Sequence, residues 1–496
     1  MKKLRYAYDE GMSDRMKLLL RGGVALCLSA VVLTGCAPGL NKVGDTKKDQ
    51  ASTLKVMYGH EEYFNQEFGM LFSAVYPDID IEIIDTTYLE ETLLEQYNQD
   101  YDKALEAFIE KEQPDVIFLD PSTLTPLIEN GKLYSLDTYV AEESYNVSGL
   151  NPGIHDYMKE IGGGQVYTIP TSFRSQALFY NKDLFDQFGL PYPTDQMTWE
   201  EVITLANQFP VDGAPNERVF GLEMAWSKDL SDIVDVLATA EGLIYFDSDT
   251  LQMTFDTPAW ASIVEQGKQV QNSNAMFYYE LIHSGDYEAS SVNSSGDPFL
   301  EGRLAMKLDS NYFIDSIEEA QKQAQDSEDI VPNWDMVTAP VGLQSPDSTG
   351  YMNFYNLLAI HAASTNKDAA WTFISYVTGD DFARVQSKKT YGNIPLRGQY
   401  FEKDDNRNYN AFYKLKPMNN MPSYHLLPQR FIYEFPYLLQ QEFEKISEDQ
   451  VTIDHALSEM QIKGNELLAT EVMSLEEQEL YLKEQQDNLT PGIITR

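Results

Sequence analysis

The stretch "PDVIFLDPSTLTPLIENGKLYSLD", residues 114–137, decides how the rest of the chain is read. Val116–Leu119 is a short, wholly apolar run, fit for a central strand covered on both faces of a parallel sheet. Asp120-Pro121-Ser122 follows as the loop at that strand's carboxyl end. A helix comes next, with Gly131 placed to stop it. Strand, loop and helix in this order predict an α/β fold of the doubly wound kind.

The segments upstream repeat the theme. In "TLKVMYGHEEYF" (53–64), Leu54, Val56 and Tyr58 alternate as a strand, after which the chain turns. "NQEFGMLFSAVYPDIDIEIIDT" (65–86) reads as a helix, a Pro77-Asp78 turn and a strand Ile79–Ile84, completing a β-α-β unit. Downstream, Gly162–Gly164 is a turn cluster and not a phosphate loop, since no Lys-Ser/Thr pair follows it. Val166–Ile169 and Ala177–Tyr180 read as two strands, and Lys182–Phe188 as a short helix ended by Gly189. Thr198, with Glu201 three residues on, is a capping box that opens another helix. "LIYFDSDTLQMTFDTPAW" (243–260) predicts a hairpin turning at Asp247–Thr250, then a helix from Thr257-Pro258. Its spaced acids lack the Gly and distal Glu of a calcium loop, so turn chemistry is the better reading. "DPFLEGRLAMKLDSNYF" (297–313) predicts a helix end at Gly302, a strand through Met306 and a loop. A strand in 350–364, a helix from Asn366 and a late helix in 452–470 complete the pattern.

A length of 496 residues suggests two or three domains or lobes, and 43% apolar residues suffice for sizeable cores. The net charge of −42 and the lack of any basic face argue against nucleic-acid binding. Aromatic residues make up 12% of the chain, with 31 Tyr among them, and Tyr can pack through one edge while hydrogen-bonding through the other.

Both cysteines of the chain, Cys27 and Cys36, lie near the N-terminus. Residues 1–21 carry Lys2, Lys3, Arg5, Arg15, Lys17 and Arg21, and Met12 and Met16 offer alternative starts. An uncharged, mostly apolar segment, 22–35, comes next and is too short to span a bilayer, which takes about 20 residues. That order describes a secretory signal over 1–35. Leu33-Thr34-Gly35-Cys36 resembles a bacterial lipobox. The resemblance implies cleavage before Cys36, acylation of Cys36 (palmitate among the chains) and anchoring on the outer face of the bacterial cytoplasmic membrane. Residues 36–52 are polar and aperiodic, a flexible tether.

Catalytic and metal motifs are missing from the pattern. The six His are scattered without ligand spacing, "HEEYF" departs from H-E-x-x-H at Phe64, and no G-x-S-x-G occurs. Glu61-Glu62 is adjacent in sequence, which suits two carboxylates flanking one glycosidic bond poorly. No cofactor, metal site or catalytic residue is expected.

The ordered set of 114–137, 167–202, 299–313 and 366–377 with "GNIPLR" (392–397) resembles the extracellular solute-binding proteins of ATP-binding-cassette importers, in their sugar-binding cluster. The resemblance spans most of 53–470. It implies a periplasmic-binding-protein-like fold of the class II type: two doubly wound α/β lobes, 53–170 with 350–395 and 176–343 with 399–496. The chain would cross between them near Thr171–Gln176, Leu343–Gly350 and Pro395–Gln399, and a ligand would lie in the cleft as in a hinged trap. Ligands in such sheets bind beyond the strands' carboxyl ends. Sugars need aromatic faces for their C–H surfaces and carboxylates or amides for their hydroxyls. Tyr58, Glu61, Glu62, Tyr63, Asp120, Phe173, Arg174, Trp226, Asn311, Tyr312 and Asn353 supply both and are the candidate ligand-binding residues. Many members of the family have Gly-Ser/Pro-Trp where this chain has Ser310-Asn311-Tyr312, a departure that weakens the case for a maltodextrin-type ligand. The implied function is capture of a polar solute, a sugar or oligosaccharide, and its delivery by a monomer to an importer's permease subunits. A sensor lipoprotein that presents ligand to a membrane kinase, and a glycan-active enzyme, are the alternatives.

Overall fold

The computed structural model describes residues 52–470 apart from 88, 90–100, 143–144, 215–216, 249, 280–296, 324–332, 389–391 and 420–426. The signal segment, Cys27, Cys36 and the tether up to residue 51 lie outside the described residues. Ser52, assigned to the tether from sequence, opens the first strand.

In chain order the strands are β1 (Ser52–Tyr58), β2 (Ile79–Asp85), β3 (Val116–Leu119), β4 (Thr168–Asn181), β5 (Phe220–Glu223), β6 (Phe246–Asp247), β7 (Gln252–Met253), β8 (Leu304–Ser310), β9 (Trp334–Thr338), β10 (Ser348–Thr349), β11 (Met352–Ile360), β12 (Ile394–Pro395) and β13 (Lys416–Pro417). Nine of them form one sheet in the order β2-β1-β3-β11-β4-β8-β5, with β9 and β12 also pairing with β4. β1 lies parallel to β2 and to β3. β11 runs antiparallel to β3 and β4. Beyond β4, β8 and β9 pair with it antiparallel and β5 joins β8 in parallel. Val116 and Ile117 of β3 are fully buried, as an apolar strand covered on both faces requires.

β4 organises the molecule. The sequence predicts two strands separated by the polar "TSFRSQ"; the structure runs one 14-residue strand through it. The physical reason is partner supply. Up to Ser175 the backbone pairs with β11, Ser175 opposite Met352, and from Gln176 it pairs with β8, Gln176 opposite Ser310. From Ser172 to Gln176 each residue of the polar stretch therefore has a ladder partner, whatever its side chain. Two hydrophobic cores pack around the sheet, the first reaching across this exchange to Phe179, Leu304 and Phe313. One gathers Phe64, Phe72, Phe108, Ile117, Leu358 and Phe373 around β1, β3 and β11. The other gathers Phe185, Leu237, Phe255, Trp260, Phe435 and Met460 beside β5, β8 and the late helices.

Local chemistry sets most boundaries. The Thr198/Glu201 capping box forms and starts the helix Trp199–Ala206. Gly189 ends the helix Lys182–Phe188 at φ 66°, a conformation a Cβ disfavours. β6 and β7 form the expected hairpin, and Asp247 Oδ1 accepts the Thr250 backbone N–H at 2.8 Å and its hydroxyl at 2.9 Å, which is turn chemistry. Three expectations are corrected. The helix expected from Asn65 begins earlier: after a bend at Gly59 it starts at Glu61 and continues to Val75 through a π-helical segment, Asn65–Gly69. The segment before Gly302 is a turn, not a helix end. β8 continues past Met306 to Ser310, and a helix, Phe313–Gln323, follows almost at once. Among the described residues no helix is long and apolar enough to cross a membrane.

Candidate functional site

Because β1, β2 and β3 are parallel, their carboxyl ends share one edge, and a cleft of about 730 Å³ opens there. Tyr58, Tyr63 and Asp120, expected from sequence, line it together. Tyr58 closes β1 and is wedged edge-on against Phe118 (4.8 Å between centroids) and Phe64 (5.6 Å). Burial, with Glu67 beside it, raises its phenol well above the ordinary range, so the hydroxyl stays protonated and donates to Glu67 Oε2 at 3.4 Å. Asp120 follows β3 and caps a single 3-10 turn, Pro121–Thr123, its Oδ1 accepting the Ser122 N–H at 3.0 Å and the Ser122 hydroxyl at 2.7 Å. Its Oδ2 has no partner among the described residues. Tyr63 stands at the rim, 61% exposed.

A smaller cavity of about 290 Å³ adjoins the first, and Glu67 and Asn356 line both. Arg174 and Tyr312 lie here, but they are tied to one another. The Arg174 guanidinium lies 5.1 Å from the ring centroids of both Tyr312 and Tyr355. Asn393 Oδ1 accepts from Arg174 Nε at 3.0 Å and from the Tyr312 hydroxyl at 2.6 Å, while its Nδ2 donates to Ser172 Oγ at 3.3 Å. Tyr312, beyond the end of β8, is thereby fastened to the β11 side of β4.

The remaining candidates scatter. Glu61 and Glu62 are exposed in the first turn of their helix and line neither cavity. Phe173 is corrected: it is fully buried and packs on Phe354, because successive residues of a strand face opposite ways and its neighbour Arg174 takes the open side. Asn311 is corrected too. It is 3% exposed, its backbone N–H donates to the Ser175 carbonyl at 3.1 Å and its Nδ2 to the Gly392 carbonyl at 3.1 Å, so it braces the point where β4 changes partner. Asn353 pairs with Arg174 in the ladder and lines neither cavity.

Trp226, beyond β5, stands apart from both cavities, 66% exposed and stacked on Tyr279 at 4.2 Å. The Tyr279 hydroxyl accepts from Lys307 Nζ at 3.1 Å. That ammonium is buried among carboxylates, 2.5 Å from Glu223, 3.2 Å from Asp297 and 3.6 Å from Asp309. Burial pushes the Glu223 carboxyl up to about 7; Lys307 pulls it back in part, while the charges of Asp297 and Asp309 push it further up.

Sequence reading missed Glu67, Asn356, Tyr355 and Asn393. Glu67 sits in the π-helical segment, a geometry that recurs at functional sites, but nothing in "NQEFG" marks it. Asn356 has φ 55° inside β11, and an Asn in a strand pattern is the one faint signal. Among the described residues no group of three or more His, Cys, Asp or Glu is placed to hold a metal ion.

Comparison with known proteins places this cleft in context. The family model described as bacterial extracellular solute-binding protein matches residues 51–383. A maltotriose-binding protein of Pyrococcus abyssi is 22% identical over 378 residues, 74% of this chain and 72% of that protein. A mannitol-binding protein of Pseudomonas aeruginosa is 22% identical over 260 residues, 51% of this chain and 53% of that protein. Among solved structures, a sugar transporter from Rhizobium etli in an open conformation aligns with TM-score 0.56 at 20% identity, covering 85% of this chain and all (100%) of that one. The sugar-binding protein MalE of Xanthomonas citri aligns with TM-score 0.54 at 18% identity, covering 88% and 100%.

Proposed function

The chain belongs to the bacterial extracellular solute-binding protein family, and from that membership we propose that it captures a sugar or oligosaccharide in the cleft beyond β1 and β3 and delivers it to an importer's permease. The observation that carries this reading is the make-up of the cleft. Tyrosine rings offer faces to sugar C–H surfaces, and Asp120 Oδ2 and Glu67 Oε1 have no protein partner among the described residues, so they can accept sugar hydroxyls. The relatives named for maltotriose and mannitol point to the same class of solute.

In this reading the protein is a monomer that does no chemistry. Its lobes are 53–170 with 350–395 and 176–343 with 399–496, a division that the exchange of β4's partners at Ser175/Gln176 supports. Ligand that touches both lobes favours the closed form, and the closed form docks on the permease. Lipid on Cys36 holds the protein on the outer face of the membrane.

A thermal-shift screen over mono- and oligosaccharides tests capture. A solute that binds the native state raises the melting temperature by mass action, and no rise with any sugar would defeat the proposal. Mass spectrometry of membrane-extracted protein tests the anchor: a chain beginning at acylated Cys36 is expected, and residues 1–35 still attached would refute it.

A further inference from the structure

The cleft beyond β1 and β3 carries unbalanced charge. Its lining holds the carboxylates of Asp120 and Glu67 and, among the described residues, no Lys or Arg. The sequence between Thr86 and Tyr101, which both line the cleft, contains no Lys or Arg either. The one imidazole in the described lining, His60, lies 3.2 Å from Asp85, so a charge on that ring is met by that carboxylate. Arg174, in the adjoining cavity, is held by Asn393 and by the rings of Tyr312 and Tyr355 and forms no ion pair with Glu67. Among the described residues only uncharged donors reach the two carboxylates: the Ser122 N–H and hydroxyl at Asp120, and the Tyr58 hydroxyl at Glu67.

In the sugar-capture reading, closure covers the bound solute. A neutral solute covering these carboxylates would strip their water and return hydroxyl donors alone, leaving both charges without a counter-ion. An ammonium returns up to three N–H donors and the opposite charge. The walls suit it as well. Tyr58, Tyr63, Tyr101 and Tyr355 line the same cleft, and the face of an aromatic ring attracts a cation. Tyr355 already engages one, the Arg174 guanidinium, 5.1 Å from its centroid. The field of the whole chain acts in the same direction, since a net charge of −42 draws cations towards the protein and repels anions.

We propose that the solute carries a protonated amine on its polyol frame, as an amino sugar or a short oligomer of amino sugars does, and that Asp120 and Glu67 hold the ammonium. The inference rests on the sugar-capture reading and names the class of solute for that same cleft.

The test is calorimetry on the full chain in detergent. Each free amine is offered beside its N-acetyl derivative and its neutral parent: glucosamine with N-acetylglucosamine and glucose, the galactose and mannose counterparts, and glucosamine oligomers with their N-acetylated forms. N-acetylation keeps the ring and removes the charge. In at least one set the free amine is expected to bind about tenfold or more tighter than the neutral members, and the gap should narrow as salt rises. Asp120→Asn keeps an oxygen for Ser122 and removes the charge. At unchanged melting temperature it should weaken the amine about tenfold and the neutral partner far less. Glu67→Gln provides a second reading with the same sign. Neutral sugars bound as tightly as the amines or more so, or equal losses for amine and neutral sugar in both variants, would overturn the inference and leave sugar capture standing. Binding of methylammonium or spermidine, with no sugar of either kind bound, would overturn sugar capture and leave the ammonium site standing. No binding of any of these compounds would overturn both.

Discussion

The two cavities that meet at Glu67 and Asn356 differ in what their polar groups already do. Around Asp120 the side chains keep unused bonding capacity: Asp120 has one carboxylate oxygen engaged and Glu67 one. Around Arg174 the polar atoms are interlocked, with Asn393 joining Arg174, Tyr312 and Ser172. A group already satisfied within the protein gains little from a ligand, whereas an open acceptor at a cleft gains a charge-assisted bond. In the sugar-capture proposal the difference separates the surface that receives the solute from one that ties the β4–β11 side to the end of β8.

The contrast predicts opposite signatures for two substitutions. Asp120→Ala removes an open carboxylate, so affinity for the sugar found by screening should fall about 10- to 100-fold, the worth of a charged hydrogen bond of roughly 1.5–3 kcal/mol. Calorimetry measures it, and apo stability should change far less. Asn393→Ala should do the reverse. Three bonds at the junction go, stability falls by about 1–3 kcal/mol in urea titration, and small-angle scattering shows a wider spread of lobe positions, while affinity moves less than for Asp120→Ala. If Asn393→Ala lowers affinity more than Asp120→Ala does, the division between the cavities is wrong.

The β5–β8 side carries a buried charge cluster under the Trp226–Tyr279 stack, in which Lys307 bonds Glu223 Oε1 while Glu223 Oε2 has no partner among the described residues. Glu223, raised to about 7 from an ordinary value of 4.5, keeps its proton in the folded state while the unfolded chain releases it. Its contribution to stability is therefore whole below pH 4.5 and lost as pH rises through 7, with a slope of at most about 1.4 kcal/mol per pH unit. Glu223→Gln cannot ionise and lacks that loss. The stability difference, wild type minus variant, should fall between pH 4.5 and 7, and a flat difference in denaturation experiments would contradict the assignment.

The contrast also explains what could be read in the sequence. The elements whose identity depends on local chemistry were legible: the apolar run Val116–Leu119, the Thr198/Glu201 box and the hairpin at Asp247. β4 was divided in two because its middle is polar, and only the presence of ladder partners on both sides, which no local pattern reveals, makes it one strand. The helix at Glu61 has His60 as its N-cap, with no side-chain bond to announce the start. Among the candidate residues, Tyr58, Tyr63 and Asp120 line one cleft because strand ends locate them. Phe173 was misplaced although strand alternation already sets it opposite Arg174. Glu67 and Asn393 enter through tertiary contact alone, from a π-helical turn and from the approach to β12.

Tyr63 gives the smallest and sharpest comparison. Its ring stands at the rim of the open cavity, 5.8 Å from the His60 ring, and its hydroxyl makes no bond within the described residues. An aromatic face laid on a sugar contributes through area and dispersion, about 0.5–1.5 kcal/mol when partly solvated. Tyr63→Ala should therefore weaken binding a few-fold, and Tyr63→Phe, which keeps the face and loses the hydroxyl, should bind as the parent does. Calorimetry on the pair separates stacking from hydrogen bonding. If Tyr63→Phe loses as much as Tyr63→Ala, the hydroxyl and not the face meets the solute, and the rim has to be described as a polar extension of the Asp120 and Glu67 floor.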